Sequence, residues 1–369
     1  MNRLVIIGNG FDLAHGLKTS YKDFINWYWE QRLTALPTTK SEVSSDCLCK
    51  LKLNVGLSWS DFINKNHDWS IGHGIGEKNG LKMIEAMKNN RNQIYIIPEP
   101  FFENITKSIE TKGWVDIENE YYQLLKKNYK KIDKCKELND QLKFLQDKLV
   151  EYLKSLPEVI CNKKIADLLE VPFNPKDICI KDWNMAFNSM RASTEIPLAE
   201  YKPEDIILLS FNYTNTVKMY ISDNIKVNYI HGSLSNENEI IFGYGDELDK
   251  DNKDILDKND NELLKYAKSV KYLEANHYKD MLRFIETEPF QVFIMGHSCG
   301  ISDRTLLNTI FEHKNCVSIK PFYHQKPDGT DNYLEIVQNI YRNFKDMPLY
   351  RDRVVSKPNC IPLPQIQKQ

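Results

Sequence analysis

The sequence predicts an α/β protein whose mainly parallel sheet has helices on both faces and is interrupted in the chain by a large, mainly helical insertion. After residue 200, short apolar segments alternate with longer amphipathic ones, as in sheets whose parallel strands are joined by helices. A further short apolar segment, residues 4–7, stops at Gly8. We therefore place this first strand in the same sheet as the strands that follow residue 200.

The elements are predicted in chain order from apolar runs, periodicity and capping residues. The strands are 4–7, 205–211, 227–230, 239–242, 291–295 and 317–321. The helices are 21–31, capped by Ser20, and then 261–286, 303–313 and 332–344. This pattern gives a discontinuous core of 1–31 and 200–350, an insertion over 32–199, and a C-terminal tail over 351–369.

One part of the insertion is regular. Between residues 116 and 156 the apolar residues recur at steps of three and four, which predicts one long amphipathic helix or two in succession. The helix would pack on the rest of the protein. A coiled-coil contact between two copies is the alternative, although there are fewer than four clean heptads. The segment HGIGEKNG at 73–80 predicts a turn or a mobile loop.

Composition excludes several classes of protein. The formal net charge of −2 gives no electrostatic footprint for nucleic acid. Among eight cysteines only Cys47 and Cys49 lie close together, without a CxxC pair or paired histidines, so no metal site is predicted. No apolar run is long enough for a signal peptide or a membrane span. We expect a cytoplasmic protein with reduced thiols.

The residues that directly follow the predicted strands are the candidates for ligand binding, because open α/β sheets bind ligands at the carboxyl ends of their strands. Almost all of these ends carry glycine or a small polar residue, which indicates one crevice for a nucleotide. The candidates are Gly8, Asn9, Gly10, Phe11, Asp12, His15, Asn212, Tyr213, Thr214, His231, Gly232, Gly296, His297, Ser298 and Asp303.

The turn at Gly8, Asn9 and Gly10 would direct backbone N–H groups at a phosphate. The GxGxxG fingerprint is incomplete because Leu13 stands at its third glycine, so an ordinary nicotinamide dehydrogenase is disfavoured. The same glycines could serve only a tight turn between strand and helix. In the same way Asn212 could cap a turn, and a histidine such as His231 is often a structural hydrogen-bonding group.

Two further kinds of active site stay open. Residues 296–300 match the GxSxG nucleophile elbow, with Ser298 as nucleophile and Asp303 and His324 as late partners, although the predicted helix starts too late for an elbow. The second is a metal-dependent nuclease, which would need a cluster of acidic residues. Acidic residues can also simply mark the start of a helix, where the helix dipole favours negative charge. The acidic candidates are Asp116, Glu118 and Glu120.

Six blocks of the sequence resemble the bacteriophage abortive-infection AbiH family. They are GNGFDLAHGLKTSYKDF near the amino terminus, GWVDIE at 113–118, FNYTNT at 211–216, IHG at 230–232, GHSCGISD at 296–303 and FYH at 322–324. The blocks lie in the family's order. The resemblance implies a role in defence against bacteriophage, with a phage-derived activator as a candidate partner and a homo-oligomer as a candidate active form.

The order of these motifs is also similar to the sirtuin-like fold, which is a Rossmann-like sheet. In sirtuins and related antiphage NAD hydrolases, the Asn and His flank the nicotinamide ribose and the glycine turn holds the pyrophosphate. The resemblance implies NAD as substrate or ligand, with Asn212 and His231 as the catalytic pair. It implies that Gly8, Gly10 and Asp12 border the cofactor. Ser298 and Asp303 would lie near its adenosine part. Without the four-cysteine zinc module of sirtuins, hydrolysis is favoured over deacylation.

Hydrolysis of the N-glycosidic bond of NAD releases neutral nicotinamide, so the protein mainly has to orient the ribose, hold a water and accept its proton. Asn212 suits the first task and His231 the last. Other classes of function remain as alternatives: a nucleotide sensor without turnover, a nuclease-type toxin, a serine hydrolase, and an interaction protein that acts through residues 117–152.

Overall fold

The computed structural model describes residues 1–54, 56, 58–65, 79–89, 93–179, 182, 200–245 and 252–366. The chain divides into two compact units. Unit 1 consists of Met1–Leu17, Pro157–Asn259 and Leu264–Gln369, and unit 2 of Lys18–Leu156 and Asp260–Leu263. Within the described residues, no helix has both the length and the apolar character needed to cross a membrane.

The described strands, in chain order, are β1 Asn2–Ile7, β2 Val43–Ser45, β3 Cys49–Leu53, β4 Ile94–Pro98, β5 Ile206–Ser210, β6 Ile225–Tyr229, β7 Phe290–Met295 and β8 Cys316–Phe322. The described α-helices are α1 Asn9–Ala14, α2 Tyr21–Ala35, α3 Trp59–Lys65, α4 Gly80–Lys88, α5 Pro100–Lys112, α6 Ile117–Asn128, α7 Ile132–Lys154, α8 Lys163–Leu169, α9 Asn252–Leu256, α10 Asn261–Leu264, α11 Lys268–Lys271, α12 His277–Thr287, α13 Arg304–Phe311, α14 Tyr333–Arg342 and α15 Met347–Arg353.

Unit 1 contains a five-stranded sheet in the order β6-β5-β1-β7-β8, and each neighbouring pair of strands is parallel. Strand β1 lies in the middle, where Leu4 pairs with Ile207 of β5 and with Val292 of β7. All six residues of β1 are buried, as expected for a strand that is covered on both faces. The predicted parallel α/β sheet is confirmed.

Each face of this sheet packs against helices, because successive side chains of a strand point to opposite faces. Leu4 and Ile6 belong to one apolar cluster, which also contains Met281 and Ile285 of α12 and residues of α13 and α14. Val5 belongs to the cluster on the other face, with residues of α1 and α8. The sheet is therefore the middle layer of unit 1.

Unit 2 combines helices α2 to α7 and most of α10 with a small antiparallel sheet in the order β2-β3-β4. The hydroxyl of Ser20 accepts a hydrogen bond from the backbone N–H of Asp23, which confirms the predicted cap of α2. The region 116–156 forms two helices in succession, α6 and α7. The small sheet is an addition to the mainly helical insertion that the sequence predicts.

Two predicted elements are wrong. Residues 239–242 form no ladder strand: a short 3₁₀ helix, Glu237–Glu239, runs into buried extended chain. The predicted helix 261–286 is divided into α10, α11 and α12, because Tyr244 forms a bridge with Ala267 that engages the backbone there. A Cβ on Gly243 would lie 2.0 Å from the carbonyl oxygen of Tyr266, so only glycine permits this approach.

The compact unit that holds the sheet ends at Leu17 and resumes at Pro157, whereas the predicted core extends to residue 31 and resumes at 200. The segment after residue 350 includes Val354, which bridges to Ile319, and Pro362, which bridges to Tyr323. The turn predicted at 73–80 lies outside the described residues apart from Asn79 and Gly80. Asn79 caps α4, since its side chain accepts a hydrogen bond from the N–H of Lys82.

Candidate functional site

The candidate site lies at the carboxyl edge of the parallel sheet in unit 1, where the chain leaves β1, β5, β6 and β7. Two hydrogen bonds and two ring contacts join neighbouring turns. The side-chain amide of Asn212 donates to the carbonyl oxygen of Gly8 at 2.9 Å, and the N–H of Gly10 donates to Gly296 at 2.7 Å. The ring of Phe211 lies 4.2 Å from that of His297 and 5.0 Å from that of His231, centroid to centroid.

The three glycines of these turns are required by close contact between backbones. A Cβ on Gly8 would lie 2.5 Å from Cα of His297, and one on Gly296 would lie 2.1 Å from the backbone nitrogen of Phe11. Gly296 also has a φ of +76°. The N–H of Gly8 donates to the carbonyl of Met295, the last residue of β7, and the N–H of Gly10 donates to the carbonyl of Gly296. Both amides are therefore engaged within the protein, and a phosphate would need other donors.

Asp12 is a buried carboxyl group on α1, with 1% of its surface exposed. Its Oδ2 accepts a 2.6 Å hydrogen bond from the hydroxyl of Thr214. Its Oδ1 has no hydrogen-bond partner in the described part of the chain. Burial raises the pKa of Asp12 to about 6, and the nearby side chains of Thr214, Thr216 and Asn212 partly offset that rise.

Asn212 is half-buried, and its orientation is fixed by its partners. A carbonyl oxygen can only accept, so the atom of Asn212 that faces Gly8 must be Nδ2. Its Oδ1 is then directed away from that contact as an acceptor. The adjacent residue Tyr213 donates its hydroxyl to the carbonyl of Ile241, which ties this turn to the chain after β6.

Three buried side chains and one partly buried carboxylate form what we call the Asp303 cluster: His231, Lys268, His297 and Asp303. The ammonium of Lys268 lies 2.8 Å from Oδ1 of Asp303. Nε2 of His231 lies 3.5 Å from the same oxygen, and Nε2 of His297 lies 3.5 Å from Oδ2. Nδ1 of His297 accepts the N–H of Cys299 at 3.0 Å, so the neutral ring carries its proton on Nε2, facing Asp303.

The charges in the Asp303 cluster follow from burial and from the neighbouring groups. Burial, assisted by the charge of Lys268, lowers the pKa of His231 to about 3, although Asp303 opposes that shift. For Asp303, burial alone would raise the pKa, but Lys268 and the two histidines together hold it well below its usual range. At neutral pH the cluster therefore contains an ionised carboxylate, an ammonium partner and a neutral His231.

His15 has a structural environment. Its Nδ1 lies 2.7 Å from the carbonyl oxygen of Phe11, and its Nε2 lies 2.6 Å from the hydroxyl of Tyr220. The tyrosine hydroxyl in turn accepts the N–H of Asn162 at 2.9 Å. Burial lowers the pKa of His15, in keeping with a neutral ring that donates from Nδ1 and accepts at Nε2. Both ring nitrogens are thus occupied within the protein.

Gly232 and Ser298 have different environments. Gly232 has a φ of +77°, and a Cβ there would lie 2.2 Å from the carbonyl oxygen of Glu239. Ser298 is exposed, and helix α13 begins only at Arg304, after a 3₁₀ turn over Ile301–Asp303. A nucleophile elbow needs a helix directly after the serine, and the carboxylate of Asp303 is held by Lys268. The chain therefore lacks the elbow geometry at Ser298.

The acidic segment at 116–120 belongs to unit 2. Asp116 caps α6 by accepting the N–H of Asn119 at 3.0 Å, and Glu120 accepts the hydroxyl of Ser108 at 3.2 Å. Among the residues that the structure describes, no group of three or more His, Cys, Asp or Glu side chains could hold a metal ion. The contacts of Asp116 and Glu120 are those of a helix start.

The sequence does not predict two residues that contact the site, Lys268 and Tyr272. Lys268 has 1% of its surface exposed, and Tyr272 places its hydroxyl 3.1 Å from Nε2 of His231. Both lie in the segment predicted as one continuous helix, where lysine normally faces solvent. No sequence signal points to Lys268: Gly245 lies beside it, but the closest atom to a Cβ there, at 2.7 Å, is the carbonyl oxygen of Ser302.

The fold and site define an α/β protein whose candidate ligand site lies at the carboxyl edge of a parallel sheet. The model of the family described as bacteriophage abortive infection AbiH matches residues 4–324, and the chain belongs to this family. The resemblance drawn from the six sequence blocks is confirmed, and membership supports a role in antiphage abortive infection. Comparisons with curated proteins and with solved structures gave no match.

Proposed function

We propose that unit 1 binds NAD or a related nucleotide at the carboxyl edge of its sheet and hydrolyses the N-glycosidic bond, releasing nicotinamide during abortive infection. One observation carries this proposal. Ser210 of β5 pairs with Tyr229 of β6, and Asn212 and His231 each lie two residues beyond that pair. The two side chains therefore leave neighbouring parallel strands at equivalent positions, as two groups that act on one ribose would require.

In this proposal Asn212 orients the substrate. Its Nδ2 is engaged by Gly8, so Oδ1 is the atom that accepts a hydrogen bond from a ribose hydroxyl or from the attacking water. An anchored amide loses little freedom when it binds, which favours a defined orientation of the reacting bond. The sequence supports the same role, since the order of the motifs resembles the Rossmann-like, sirtuin-like arrangement in which an asparagine flanks the nicotinamide ribose.

His231 acts as a neutral group in this proposal. Its Nε2 faces Asp303 and Tyr272, so a proton on Nε2 leaves Nδ1 as the acceptor of the ring. A pKa of about 3 keeps the ring neutral across the physiological range. His297, which donates to the other oxygen of Asp303, and Lys268 fix the carboxylate that orients His231.

The chemistry makes modest demands on the protein. Nicotinamide leaves as a neutral molecule while positive charge develops on the ribose, so orientation and an acceptor for one proton are the main requirements. The ionised Asp303 and the carboxyl group of Asp12 both lie at this edge of the sheet and would stabilise that developing positive charge.

The experiment incubates the purified full-length chain with NAD and follows nicotinamide and ADP-ribose by chromatography. The same variants are scored for protection of cells against phage. Asn212→Ala and His231→Ala should each abolish nicotinamide release and protection. His324→Ala is the matched control, because this histidine is exposed in unit 1 and should leave both unchanged. Intact NAD together with full protection by both site variants would refute the proposal.

The second candidate is a nucleotide sensor that binds without turnover. It is favoured by the depth of burial of His231, which has 4% of its surface exposed. The sensor predicts saturable binding of NAD by calorimetry with no release of nicotinamide, before or after phage infection. Measurement of cellular NAD in infected cells that carry wild-type or His231→Ala protein separates the two functions.

A further inference from the structure

Asp12 carries an unsatisfied hydrogen-bonding atom at the edge of the candidate site. One carboxylate oxygen, Oδ2, is held by Thr214, while Oδ1 is buried and has no partner among the described residues. Leaving a buried acceptor unpaired costs about 1–3 kcal/mol, and more when the acceptor is charged. Buried polar atoms without partners are rare in folded proteins, and functional sites are one place where they occur.

The position of Asp12 connects it with the reacting groups. It lies on α1, directly after the turn whose carbonyl at Gly8 anchors Asn212. The side chain of Asn212 is close enough to stabilise the charged form of Asp12. That stabilisation comes from the donor Nδ2, which also donates to Gly8. In the proposed complex with substrate, a water that donates one hydrogen to Oδ1 of Asn212 keeps its second hydrogen for the unpaired oxygen of Asp12.

We infer that Asp12 is the catalytic proton acceptor of the hydrolysis proposed above, while His231 stays a neutral hydrogen-bonding group; the inference rests on that proposed function. The attacking water is shared between Asn212, which positions it, and Oδ1 of Asp12, which takes its proton. The substrate class that this arrangement fits is a nucleotide with an N-ribosyl pyridinium bond.

The step balances without an oxidant or a metal. The water oxygen forms a bond to C1′ of the ribose while the bond from C1′ to the pyridinium nitrogen breaks. The electron pair of the broken bond goes to the ring nitrogen, so nicotinamide leaves neutral. One proton passes from the water to Oδ1 of Asp12, and the carboxylic acid then returns it to solvent. The products are nicotinamide, ADP-ribose and one proton.

The surroundings of Asp12 determine its titration. Thr214 and Thr216, from the segment after β5, are neutral and polar. Tyr229, at the end of β6, is a titratable neighbour in the described part of the chain, and burial together with the charge of Asp12 raises the pKa of Tyr229. The pKa of Asp12 near 6 suits a base that must be ionised at neutral pH and still accept a proton, whereas that of His231 near 3 suits a much weaker base.

The test measures kcat/KM for hydrolysis of NAD by the full-length chain from about pH 4.5 to 8, the range on either side of a base that titrates near 6. Wild-type activity should rise with pH through an apparent pKa near 6. Asp12→Asn should lower kcat by about 100-fold or more and abolish the rise, while NAD binding measured by calorimetry changes little. Asp223→Asn, at an exposed aspartate of unit 1, is the matched control and should behave as wild type.

A second variant keeps the inference testable if Asp12→Asn does not fold. Thr214→Val removes the hydroxyl that stabilises the carboxylate, so the rise in activity should move to higher pH, which a merely structural role would not cause. Hydrolysis that survives Asp12→Asn, or a rise that Thr214→Val leaves in place, would overturn the inference and leave the proposed function standing. If the wild type releases no nicotinamide at any pH, and NAD stays constant in infected, protected cells, the proposed function fails and the inference fails with it.

Discussion

The ammonium of Lys268 and the carboxylate of Asp303 form a largely buried ion pair at 2.8 Å, although the two residues lie on different elements and 35 positions apart in the chain. Lys268 also donates to the carbonyl of Ser302 at 3.2 Å. The pair is formed inside unit 1, where neither charge is well solvated. Replacing one member of such a pair destabilises a protein more than replacing both members, because the remaining buried charge then has no partner.

Lys268→Met should therefore lower the free energy of unfolding by about 3–5 kcal/mol. It should also raise the pKa of His231, since the charge of Lys268 is one of the causes that lower it. Urea unfolding gives the first quantity, and NMR titration of the His231 ring gives the second. Lys268→Met with Asp303→Asn in one chain should recover part of the stability. A single variant as stable as wild type would contradict the assigned ion pair.

The stability of unit 1 should depend on the titration of His231. The folded ring has a pKa of about 3, and the ordinary value is 6.5. As the pH falls below 6.5, the unfolded chain binds a proton that the folded chain does not, so the free energy of unfolding decreases until the pH reaches about 3. The contribution is about 1.4 kcal/mol per pH unit within that window.

Comparison with His231→Gln isolates this effect, because the other titrating groups are common to both chains. Urea unfolding gives the difference in free energy of unfolding between wild type and the variant. This difference should shrink as the pH falls from about 6.5 toward 4, because the histidine is protonated there in the unfolded chain only. The contribution of Asp12 changes with pH in the opposite direction. Because folding raises its pKa, its contribution to the free energy of unfolding is lost as the pH rises through about 6. Curves that stay parallel would show that the folded ring titrates as in the unfolded chain.

Gly296 should tolerate no side chain. Gly296→Ala introduces a Cβ 2.1 Å from the nitrogen of Phe11 and also leaves alanine at a φ of +76°. Gly329→Ala is the matched control, because that glycine has a φ of +82° with no atom within 4 Å of its Cβ position. The control should cost about 1–2 kcal/mol, and Gly296→Ala should cost distinctly more or prevent folding. Equal unfolding midpoints would mean that the turns separate easily.

Asp116 should act as a cap and not as a metal ligand. Asp116→Ala should lower the free energy of unfolding by about 1 kcal/mol, whereas Asp116→Ser, which keeps an acceptor for the N–H of Asn119, should be nearly neutral. Cells that carry Asp116→Ser should keep wild-type protection against phage. Loss of protection in that stable variant, together with metal-dependent cleavage of nucleic acid by wild type, would favour the nuclease alternative.

The parallel sheet is predictable because its central strands are buried on both faces and are therefore continuously apolar, as residues 4–7 and 206–209 are. The same criterion fails at 239–242, since Ile241 and Phe242 are buried without joining a ladder. Burial is visible in a sequence as apolar character, but hydrogen-bond pairing is not. The small sheet of unit 2 is hard to predict because β2 has only three residues, Val43–Ser45.

The strand-end rule finds the candidate residues because parallel strands place all their carboxyl ends at one edge. It cannot find Lys268, because the burial of this lysine depends on its contact with the carboxylate of Asp303. A helix and a strand separate the two residues in the chain. Nor does it tell a structural histidine from a reactive one: His15 and His231 differ only in what lies around them. Those surroundings are properties of the folded chain.

The central position of β1 has a consequence for how the protein is made on the ribosome. Asn2 pairs with Phe290, so the middle strand of the sheet waits for one neighbour that is about 290 residues further along the chain. At a synthesis rate of about 5–20 residues per second, that delay is roughly 15–60 s. Until β5 has been synthesised, Leu4–Ile7 is an apolar strand with two open edges, and until β7 has been synthesised one edge stays open. The nascent chain is thus most exposed to aggregation before β7 emerges.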